Sequence, residues 1–427
     1  MNLSIPQITH LQGTRYVPGD KSISHRALMI GGIADGVSEI KFCSRAADPM
    51  STLSCIKQLG LIIEDFGEKI VIHGKGRHGL HISSAPLDAG NSGTTMRLLS
   101  GILAGQHFPS IIEGDSSLSR RPMKRIMDPL RLMGANIYGT NENTAPIRIE
   151  PVDQLHAIRY DLPIPSAQVK SALLFAGLFA DYTTFIVEKT QTRDHTERML
   201  GLQTKKEDGS FIVEVHPDVK IEGKRFFIPG DISAAAFMLS ACLIVPGSNL
   251  RIQNIGLNPT RRRVLDIFRT MGGSIEIDNE RIVEGEPIGD LNVHYSELKS
   301  NLELCGAEVV DLIDEIPILA VTALFAEGCF RIRDAQELRM KETDRISAIV
   351  NNLRLLGCEV DEYEDGFAFE GKKNYSGNIL PSYGDHRIAM AFGIAGLRIQ
   401  NVTIQDTECV DISFPRFWKE LLASSKV

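Results

Sequence analysis

The chain has 427 residues, more than one hydrophobic core usually serves, so we expect two domains. Its composition, 43% hydrophobic and 23% charged residues, is typical of a globular protein. The 46 Lys and Arg residues against 54 Asp and Glu residues give a net charge of −8, which argues against a general binder of nucleic acid or of anionic membranes. Any anion site must therefore be a local concentration of cations.

Neither a targeting segment nor a membrane span is expected. Residues 1–6 lack the basic and apolar regions of a secretory signal, and no later run approaches the roughly 18 apolar residues that a span needs. The seven cysteines never form a Cys-X-X-Cys spacing, and the histidines show no metal-ligand spacing. We therefore expect a cytoplasmic protein with free thiols, no metal and no cofactor. We also expect a monomer.

A polar turn followed by an apolar helix recurs along the chain, at intervals of roughly 65 to 85 residues. The six copies begin at Gly19, Gly90, Pro165, Gly230, Asp314 and Gly384. Each predicted helix is apolar on almost every face and rich in Ala and Gly, which indicates a buried helix that allows close approach of its neighbours.

A second signature lies between these copies: an amphipathic helix that ends in glycine and is followed by a short strand. Glycine suits the left-handed position just beyond a helix end. Such helices are predicted to end at Gly60, Gly134, Gly272, Gly306 and Gly357, with a weaker example at Gly201. Further strands are predicted over residues 69–73, 147–150, 211–215 and 366–369.

These signatures predict an α/β fold of six βαβαββ units, arranged as two pseudo-threefold domains of three units each. The buried helices would lie inside and the sheets outside. We place the domains at residues 20–230 and at residues 1–19 plus 231–427. A single doubly wound sheet is the alternative, but it would not explain helices that are apolar on every face.

Reactive residue types cluster where the buried helices begin. Free backbone N–H groups and the helix dipole favour an anion there, although each dipole contributes only about 0.3 to 1 kcal/mol. Lysine and arginine side chains must therefore supply most of the binding. In chain order the polar residues at these starts are Lys21, Ser22, Arg26, Asn91, Ser92, Gly93, Ser166, Gln168, Asp314, Glu315, Asp385, His386 and Arg387.

Three further charged stretches lie between the helix starts. Arg121 precedes a proline and should be held extended. Residues 192–196 form a polar turn that carries Arg193. Lys341 and Arg345 stand four apart, which predicts one face of a single helix, with Glu342 adjacent.

The basic run at residues 260–263 is a separate case. It lacks interleaved aromatic residues, so we interpret it as a solvated helix start and not as an RNA site.

Seven motifs together resemble the enolpyruvyl transferases, in that family's order and over essentially the whole chain. They are GDKSISHR, GNSGTTMR, SRRPM, PSAQVKSALL, TRDHTE, RMKETDR and GDHRIAM. The resemblance implies a two-domain inside-out α/β barrel. It also implies transfer of the enolpyruvyl group of phosphoenolpyruvate to the 5-hydroxyl of shikimate 3-phosphate through a tetrahedral intermediate, with release of phosphate, on the route to chorismate and aromatic amino acids.

The resemblance also implies roles for individual residues. Shikimate 3-phosphate would be bound by Lys21, Ser22, Arg26, Ser166, Ala167, Gln168, Arg193, Asp314 and Lys341. Phosphoenolpyruvate would be bound by Lys21, Asn91, Gly93, Arg121, Gln168, Glu342, Arg345, His386 and Arg387. Asp314 would accept the hydroxyl proton, while Lys21 and Glu342 would handle the proton at the methyl carbon. Ala167 departs from the second serine of the family's common form.

Other functions within and beyond this fold stay open at this point. A UDP-N-acetylglucosamine enolpyruvyl transferase typically has Lys-Asn in the first turn and a reactive cysteine in its mobile loop. Here Ser22 follows Lys21, and residues 113–123 contain no cysteine. An RNA 3′-phosphate cyclase-like protein would favour a basic groove, against the net charge. A noncatalytic sugar-phosphate sensor would not need Asp314 and Glu342 beside the cations.

Overall fold

The computed structural model describes residues 1–140, 143–371, 374–423 and 425–426. They form two compact units. We call Gly19–Ile228 with Val283–Glu286 the N-terminal unit, and Met1–Pro18, Pro229–Ile282 and Pro287–Val427 the C-terminal unit. The domain limits of 20–230 and of 1–19 plus 231–427 stay a proposal. Of the helices that the structure describes, none has both the length and the apolar character needed to cross a membrane.

The α-helices follow the predicted alternation of buried and amphipathic segments. They are α1 Lys21–Gly32, α2 Ala47–Gln58, α3 Gly93–Leu103, α4 Lys124–Leu132, α5 Ala167–Gly177, α6 His195–Leu200, α7 Ile232–Ile244, α8 Arg263–Thr270, α9 Ala307–Leu312, α10 Ile316–Leu324, α11 Arg345–Leu355, α12 His386–Gly396 and α13 Phe417–Leu422. Short 3₁₀ helices cover Leu118–Arg120, Gln336–Met340 and Thr407–Ile412.

The strands are short and spread along the whole chain. They are β1 Leu3–Ser4, β2 His10–Arg15, β3 Asp35–Lys41, β4 Ile62–Asp65, β5 Lys69–Lys75, β6 Leu87–Asp88, β7 Ser110–Glu113, β8 Asn136–Tyr138, β9 Ile147–Glu150, β10 Arg159–Asp161, β11 Thr184–Glu188, β12 Thr204–Glu207, β13 Ser210–Val215, β14 Arg225–Phe227, β15 Asn249–Gly256, β16 Ser274–Val283, β17 Glu286–His294, β18 Leu302–Leu304, β19 Gly328–Ile332, β20 Val360–Tyr363, β21 Gly366–Gly371, β22 Ile379–Leu380, β23 Thr403–Ile404 and β24 Ser425–Lys426.

The predicted buried helices are confirmed as α1, α3 and α5 in the N-terminal unit and α7, α10 and α12 in the C-terminal unit. Every residue of α7, α10 and α12 is buried. Side-chain oxygens accept backbone N–H groups at most of these helix starts, which explains why polar residues precede each apolar run. The capping residues are Asp20, Ser92, Ser166, Asp231 and Asp385.

The sheets repeat one topology. Among the described strands, the sheets β14-β3-β5-β4, β6-β7-β9-β8, β10-β11-β13-β12 and β18-β19-β21-β20 each begin with a parallel pair and continue with two antiparallel neighbours. The remaining sheets have the orders β16-β17-β15-β2-β24 and β1-β23-β22. Early strand β2 runs parallel to β15, with Gln12 opposite Asn249, so the start of the chain completes a sheet of the C-terminal unit.

Each unit has its own hydrophobic core around its buried helices. Helices α3 and α5 of the N-terminal unit approach each other closely at Gly101 in α3. A Cβ added there would lie 2.1 Å from the carbonyl oxygen of Ala172 in α5. Only glycine therefore allows these two helices to pack at their observed separation.

One predicted helix is wrong. Within residues 301–305, Leu302–Leu304 form strand β18 and not a helix, and Gly306 precedes α9 instead of ending a helix. Leu304 is buried while its neighbour Glu303 is exposed, and this alternation suits a strand that pairs with β19. The other glycines of the signature are confirmed, since φ is +87° at Gly60, +88° at Gly134, +91° at Gly272 and +88° at Gly357.

Candidate active site

Lys21 opens α1 and is held by a carboxylate from the next helix. Its Nζ lies 2.9 Å from Oδ2 of Asp48, which is buried in the first turn of α2. The backbone oxygen of Asp48 also accepts the hydroxyl of Thr95 from α3, at 3.5 Å. These contacts link the starts of three helices around Lys21. Asp48 could not be singled out from the sequence, because no neighbouring residue indicates which cation it contacts.

Gln168 connects the first turn of α5 to α3. Its Oε1 accepts from Nη1 of Arg97 at 2.6 Å, and its Nε2 donates to Oγ1 of Thr94 at 2.9 Å. Arg97 is a buried residue that the sequence analysis left unassigned. Its signal was visible, since an arginine within an otherwise apolar helix needs a buried polar partner.

Arg121 reaches the start of α3. As predicted from the following proline, its backbone is extended, with φ −76° and ψ 135°. Its Nη2 donates to Oδ1 of Asn91 at 2.8 Å, and the Nδ2 of Asn91 donates to Asp115 at 2.7 Å. A Cβ added to Gly93 would lie 2.8 Å from Nη1 of Arg97 and 3.6 Å from Nη1 of Arg121. Glycine at this position therefore leaves room for two guanidinium groups.

Arg26 is buried and donates hydrogen bonds to neutral groups of three residues. It donates to the carbonyl of Ser22 at 2.9 Å and to the hydroxyls of Thr196 and Ser171, each at 2.7 Å. Burial lowers the pKa of Arg26 to about 10, against the raising effect of Glu197. Arg26 therefore ties α1 to α5 and α6, and its contact with a substrate stays a prediction.

The hydroxyl of Ser166 accepts the backbone N–H of Val169 at 3.4 Å, and Ala167 begins α5 directly after it. Both residues thus lie at the start of a buried helix, where the sequence placed them.

A buried ion cluster supports the turn that carries Arg193. Nζ of Lys170 lies 2.6 Å from Glu188 and 2.7 Å from Glu197. Burial opposes the charge of Lys170, but the two carboxylates outweigh it and raise the pKa of the ammonium. Glu188 also accepts the N–H and the hydroxyl of Thr192, at 3.1 and 2.7 Å. The residue before Arg193 is therefore fixed to the core.

In the C-terminal unit, Arg345 gathers three carboxylates. Its Nε lies 2.8 Å from Asp385, its Nη2 lies 2.7 Å from Glu342, and its Nη1 lies 3.6 Å from Asp314. Only 1% of the Arg345 side chain is exposed. Burial disfavours its charge, yet the carboxylates of Asp385, Glu342 and Asp314 prevail and raise its pKa above the ordinary value.

Arg387 contacts the segment just before α10. Its Nη1 donates to the carbonyl of Asp314 at 2.6 Å and lies 3.8 Å from Oε1 of Glu315. Its Nη2 lies 3.7 Å from Oδ2 of Asp314. The Asp314 carboxylate thus stands between two guanidinium groups while 20% of its side chain stays exposed. His386 is buried in the first turn of α12.

The predicted shared helix face of Lys341 and Arg345 is wrong. Lys341 follows the 3₁₀ helix Gln336–Met340 and pairs with Glu337 at 2.9 Å. Helix α11 begins only at Arg345, because Asp344 acts as its N-cap and accepts the N–H of Ser347 at 3.0 Å.

The interpretation of residues 260–263 as a solvated stretch is wrong for one member. Arg261 is 3% exposed, and its Nη2 donates to the hydroxyl of Ser233 at 2.7 Å and lies 3.3 Å from Asp231. A buried guanidinium needs such partners, and both come from the start of α7.

The chain is similar to known proteins over nearly its whole length. The sequence model of the family EPSP synthase (3-phosphoshikimate 1-carboxyvinyltransferase) matches residues 5–421. The chain is 48% identical over 423 residues to a 3-phosphoshikimate 1-carboxyvinyltransferase of Salinibacter ruber, covering 98% of each chain. It is 46% identical over 429 residues to the protein of that name from Brevibacillus brevis, covering 99% of this chain and 100% of the relative.

Solved structures are similar as well. An EPSP synthase from Acinetobacter baumannii superposes with a TM-score of 0.88 at 41% identity, with coverage of 99% of this chain and 98% of that one. The enolpyruvyl transferase NikO from Streptomyces tendae has a TM-score of 0.75 at 16% identity, with coverage of 98% and 96%. The second match indicates a shared fold.

Proposed function

The chain belongs to the EPSP synthase (3-phosphoshikimate 1-carboxyvinyltransferase) family, and from that premise we propose how its residues carry out the family's reaction. The enzyme transfers the enolpyruvyl group of phosphoenolpyruvate to the 5-hydroxyl of shikimate 3-phosphate and releases phosphate. This step lies in the shikimate pathway, which leads to chorismate and the aromatic amino acids. The observation that carries this function is the 48% identity over nearly the whole length of both chains.

The reaction sets three chemical requirements. Two anionic substrates need separate sets of cations, the hydroxyl must lose a proton, and the methylene carbon must gain one. When phosphate leaves the tetrahedral intermediate, the methyl carbon must lose a proton again to a group of the enzyme, so that the double bond reforms. Each unit of this chain offers part of what is needed at the starts of its buried helices.

We assign the binding of phosphoenolpyruvate to arginines whose planar forks match phosphate and carboxylate groups. Arg121, Arg345 and Arg387 are the principal groups. Lys21, Asn91, Gly93, Gln168, Glu342 and His386 complete this set. The Asn91 contact that orients Arg121 and the carboxylates that fix Arg345 support the assignment, because preorganised donors bind an anion without reordering.

We assign shikimate 3-phosphate to the second set. It consists of Lys21, Ser22, Arg26, Ser166, Ala167, Gln168, Arg193, Asp314 and Lys341. Gln168 belongs to both sets because its amide links the starts of α3 and α5. The side chain of Arg26 donates to Thr196, and the backbone N–H of Thr192, next to Arg193, donates to Glu188. These contacts support a role for both arginines in positioning the sugar phosphate.

Proton transfer is assigned to three residues. Asp314 accepts the hydroxyl proton, since its carboxylate is partly exposed and is oriented by Arg345 and Arg387. Lys21 and Glu342 deliver and remove the proton at the methyl carbon. An ion pair with Asp48 holds Lys21, and an ion pair with Arg345 holds Glu342.

The assay that tests this function measures phosphate release from phosphoenolpyruvate. We expect release with shikimate 3-phosphate and none with UDP-N-acetylglucosamine as the acceptor. Phosphate release with UDP-N-acetylglucosamine but not with shikimate 3-phosphate would overturn the proposal. The RNA 3′-phosphate cyclase alternative is not favoured, because relatives of nearly equal length carry the transferase name.

We further propose that the enzyme acts as a monomer in the cytoplasm. Both substrates are charged phosphate esters, which cross apolar bilayers poorly, so they are used where they are made. Light scattering of the purified protein should give the mass of one 47.1 kDa chain. A doubled mass would overturn the monomer.

A further inference from the structure

We propose that Ser233 and Arg261 are positioning residues for phosphoenolpyruvate, which act through Glu315 to hold the guanidinium of Arg387. The inference rests on the proposed function, because it takes Arg387 as a group that binds this substrate. All four residues belong to the C-terminal unit.

The contacts form one continuous line behind Arg387. The Nη2 of Arg261 donates to Oγ of Ser233 at 2.7 Å. The Ser233 hydroxyl in turn donates to Oε1 of Glu315. The same oxygen of Glu315 lies 3.8 Å from Nη1 of Arg387. A hydroxyl is suited to the middle position, because it accepts from a cation and donates to a carboxylate at once.

The three residues behind Arg387 are all buried, which makes their hydrogen bonds necessary. Arg261 and Ser233 are each 3% exposed, and Glu315 is 1% exposed. A carboxylate removed from water in this way needs donors in fixed positions, since each lost donor leaves part of its charge unsatisfied. The Ser233 hydroxyl is thus one of the donors that fix the rotamer of Glu315.

Arg387 depends on that rotamer. Its guanidinium also contacts Asp314, the residue next to Glu315 in the chain. If the Glu315 carboxylate turns away, the guanidinium loses one of its two carboxylate neighbours in this segment. Its direction toward a bound anion then becomes less defined, and bidentate binding is sensitive to direction.

Helix α7 offers a matched control. Ser240 stands seven residues after Ser233, is also buried, and its Oγ lies 2.7 Å from Oγ1 of Thr322 in α10. Both serines thus join α7 to the α10 segment by one hydroxyl. Only Ser233 does so through a charged residue that leads to Arg387.

The experiment compares Ser233→Ala with Ser240→Ala in the full-length enzyme. Loss of one hydrogen bond to a charged group should raise the KM for phosphoenolpyruvate about five- to twentyfold in Ser233→Ala. The KM for shikimate 3-phosphate should stay within about twofold. Tm should fall in both variants, and further in Ser233→Ala, because its hydroxyl meets a charged group. Ser240→Ala should leave both KM values unchanged. An equal KM for phosphoenolpyruvate in the two variants overturns the proposal.

Two further variants distinguish a failure of this inference from a failure of the proposed function. Arg261→Met removes the donor on the other side of the hydroxyl and should raise the same KM; it decides the matter if Ser233→Ala does not fold. Arg387→Lys tests the site itself. An unchanged KM for phosphoenolpyruvate there overturns the proposed site and this inference together. A raised KM in Arg387→Lys with wild-type values in Ser233→Ala overturns the inference alone.

Discussion

A buried arginine joins several helices or helix starts in each unit, but the groups that it contacts differ in charge. Arg345 is bound by carboxylates, and its pKa is raised above the ordinary value despite burial. Arg26 donates to hydroxyls and a carbonyl, and burial lowers its pKa to about 10. Both therefore stay charged near neutral pH. The charge of Arg345 is thus largely balanced by hydrogen-bonded carboxylates, whereas the hydrogen-bond partners of Arg26 are neutral groups.

The first prediction concerns the proton-transfer residues. Glu342→Gln and Asp314→Asn should each lower kcat about 10²- to 10⁴-fold, because an amide of the same shape neither takes nor gives the proton. Substrate binding should persist, measured by ligand titration. Glu303→Gln, an exposed carboxylate paired with Arg331 in the same unit, is the control and should keep wild-type kcat. Normal turnover in Glu342→Gln would remove this residue from the mechanism.

The second prediction separates the two substrates. Arg121→Ala should raise the KM for phosphoenolpyruvate about 10- to 100-fold and change the KM for shikimate 3-phosphate much less, since it removes one charged fork from one set. Steady-state kinetics with each substrate varied in turn gives both constants. Arg131→Ala, on the exposed side of α4, should change neither. Equal increases in both constants would contradict the assignment.

The sequence identified residues whose type and place at a helix start already indicate chemistry, such as Lys21 and Arg387. It placed Glu315 at a helix start without its partner Arg387, and it did not identify Asp48, because contacts with residues distant in the chain are not visible in the sequence. Arg261 was misjudged for the same reason, since its burial depends on two residues at the start of α7. Pairing across the fold is information that residue type alone does not carry.

At the level of helices, the close contact between α3 and α5 gives the third prediction. Gly101→Ala should cost about 3 kcal/mol or more in the free energy of unfolding, because the added Cβ meets the backbone oxygen of Ala172. Gly32→Ala is the control: its Cβ would meet only the Cδ1 of Leu61, at 3.0 Å. It should change stability by less than about 1 kcal/mol. Urea unfolding measures both, and equal effects would contradict close packing as the reason for Gly101.

The fourth prediction uses a chain of buried hydrogen bonds that joins α1, α2 and α3. Nδ1 of His25 lies 2.7 Å from Oγ1 of Thr52, which lies 2.7 Å from Oγ1 of Thr95. Burial, with Lys21 and Arg26 nearby, lowers the pKa of His25 well below 6.5. The folded protein keeps this ring neutral, while the unfolded chain protonates it near pH 6.5. The stability is thus complete above that pH and decreases as the pH falls.

Between about pH 7 and pH 5.5, wild type should lose about 1 kcal/mol more of its free energy of unfolding than His25→Gln does, since glutamine does not titrate. Urea titrations of both proteins at the two pH values give the difference. The same pH dependence in both proteins would mean that His25 takes up a proton in the folded state.

Helix and strand predictions succeeded where one physical signal was strong. Glycines in the left-handed region ended helices at Gly60 and Gly357, as their sequences indicated. The same pattern failed at Gly306, where the alternation of Leu302, Glu303 and Leu304 satisfied a neighbouring strand instead. A stretch of five residues is short enough for tertiary pairing to decide its structure.

For the molecule as a whole, the path of the chain yields the fifth prediction. Leu11 lies near the start of the sequence but is 1% exposed in the core of the C-terminal unit. Leu11→Ala should remove about 2 to 5 kcal/mol of stability from that unit. Hydrogen exchange should then speed up in α7, α10 and α12 and stay unchanged in α1, α3 and α5. Leu61→Ala, in the core of the N-terminal unit, should give the reverse pattern. Faster exchange throughout in both variants would contradict separate cores.

The pairing of β2 with β15 has a consequence for how the protein is made on the ribosome. The backbone N–H of Leu11, in β2, donates to the hydroxyl of Ser248, which lies 237 positions later in the chain. At a synthesis rate of about 5 to 20 residues per second, β2 therefore waits on the order of 12 to 50 s for this partner. The intervening segment Gly19–Ile228 has its two ends close together, since a Cβ added at Gly19 would lie 3.0 Å from the side chain of Ile228. That segment is thus free to fold during translation, whereas strand β2 reaches its final place only after β15 has left the exit tunnel.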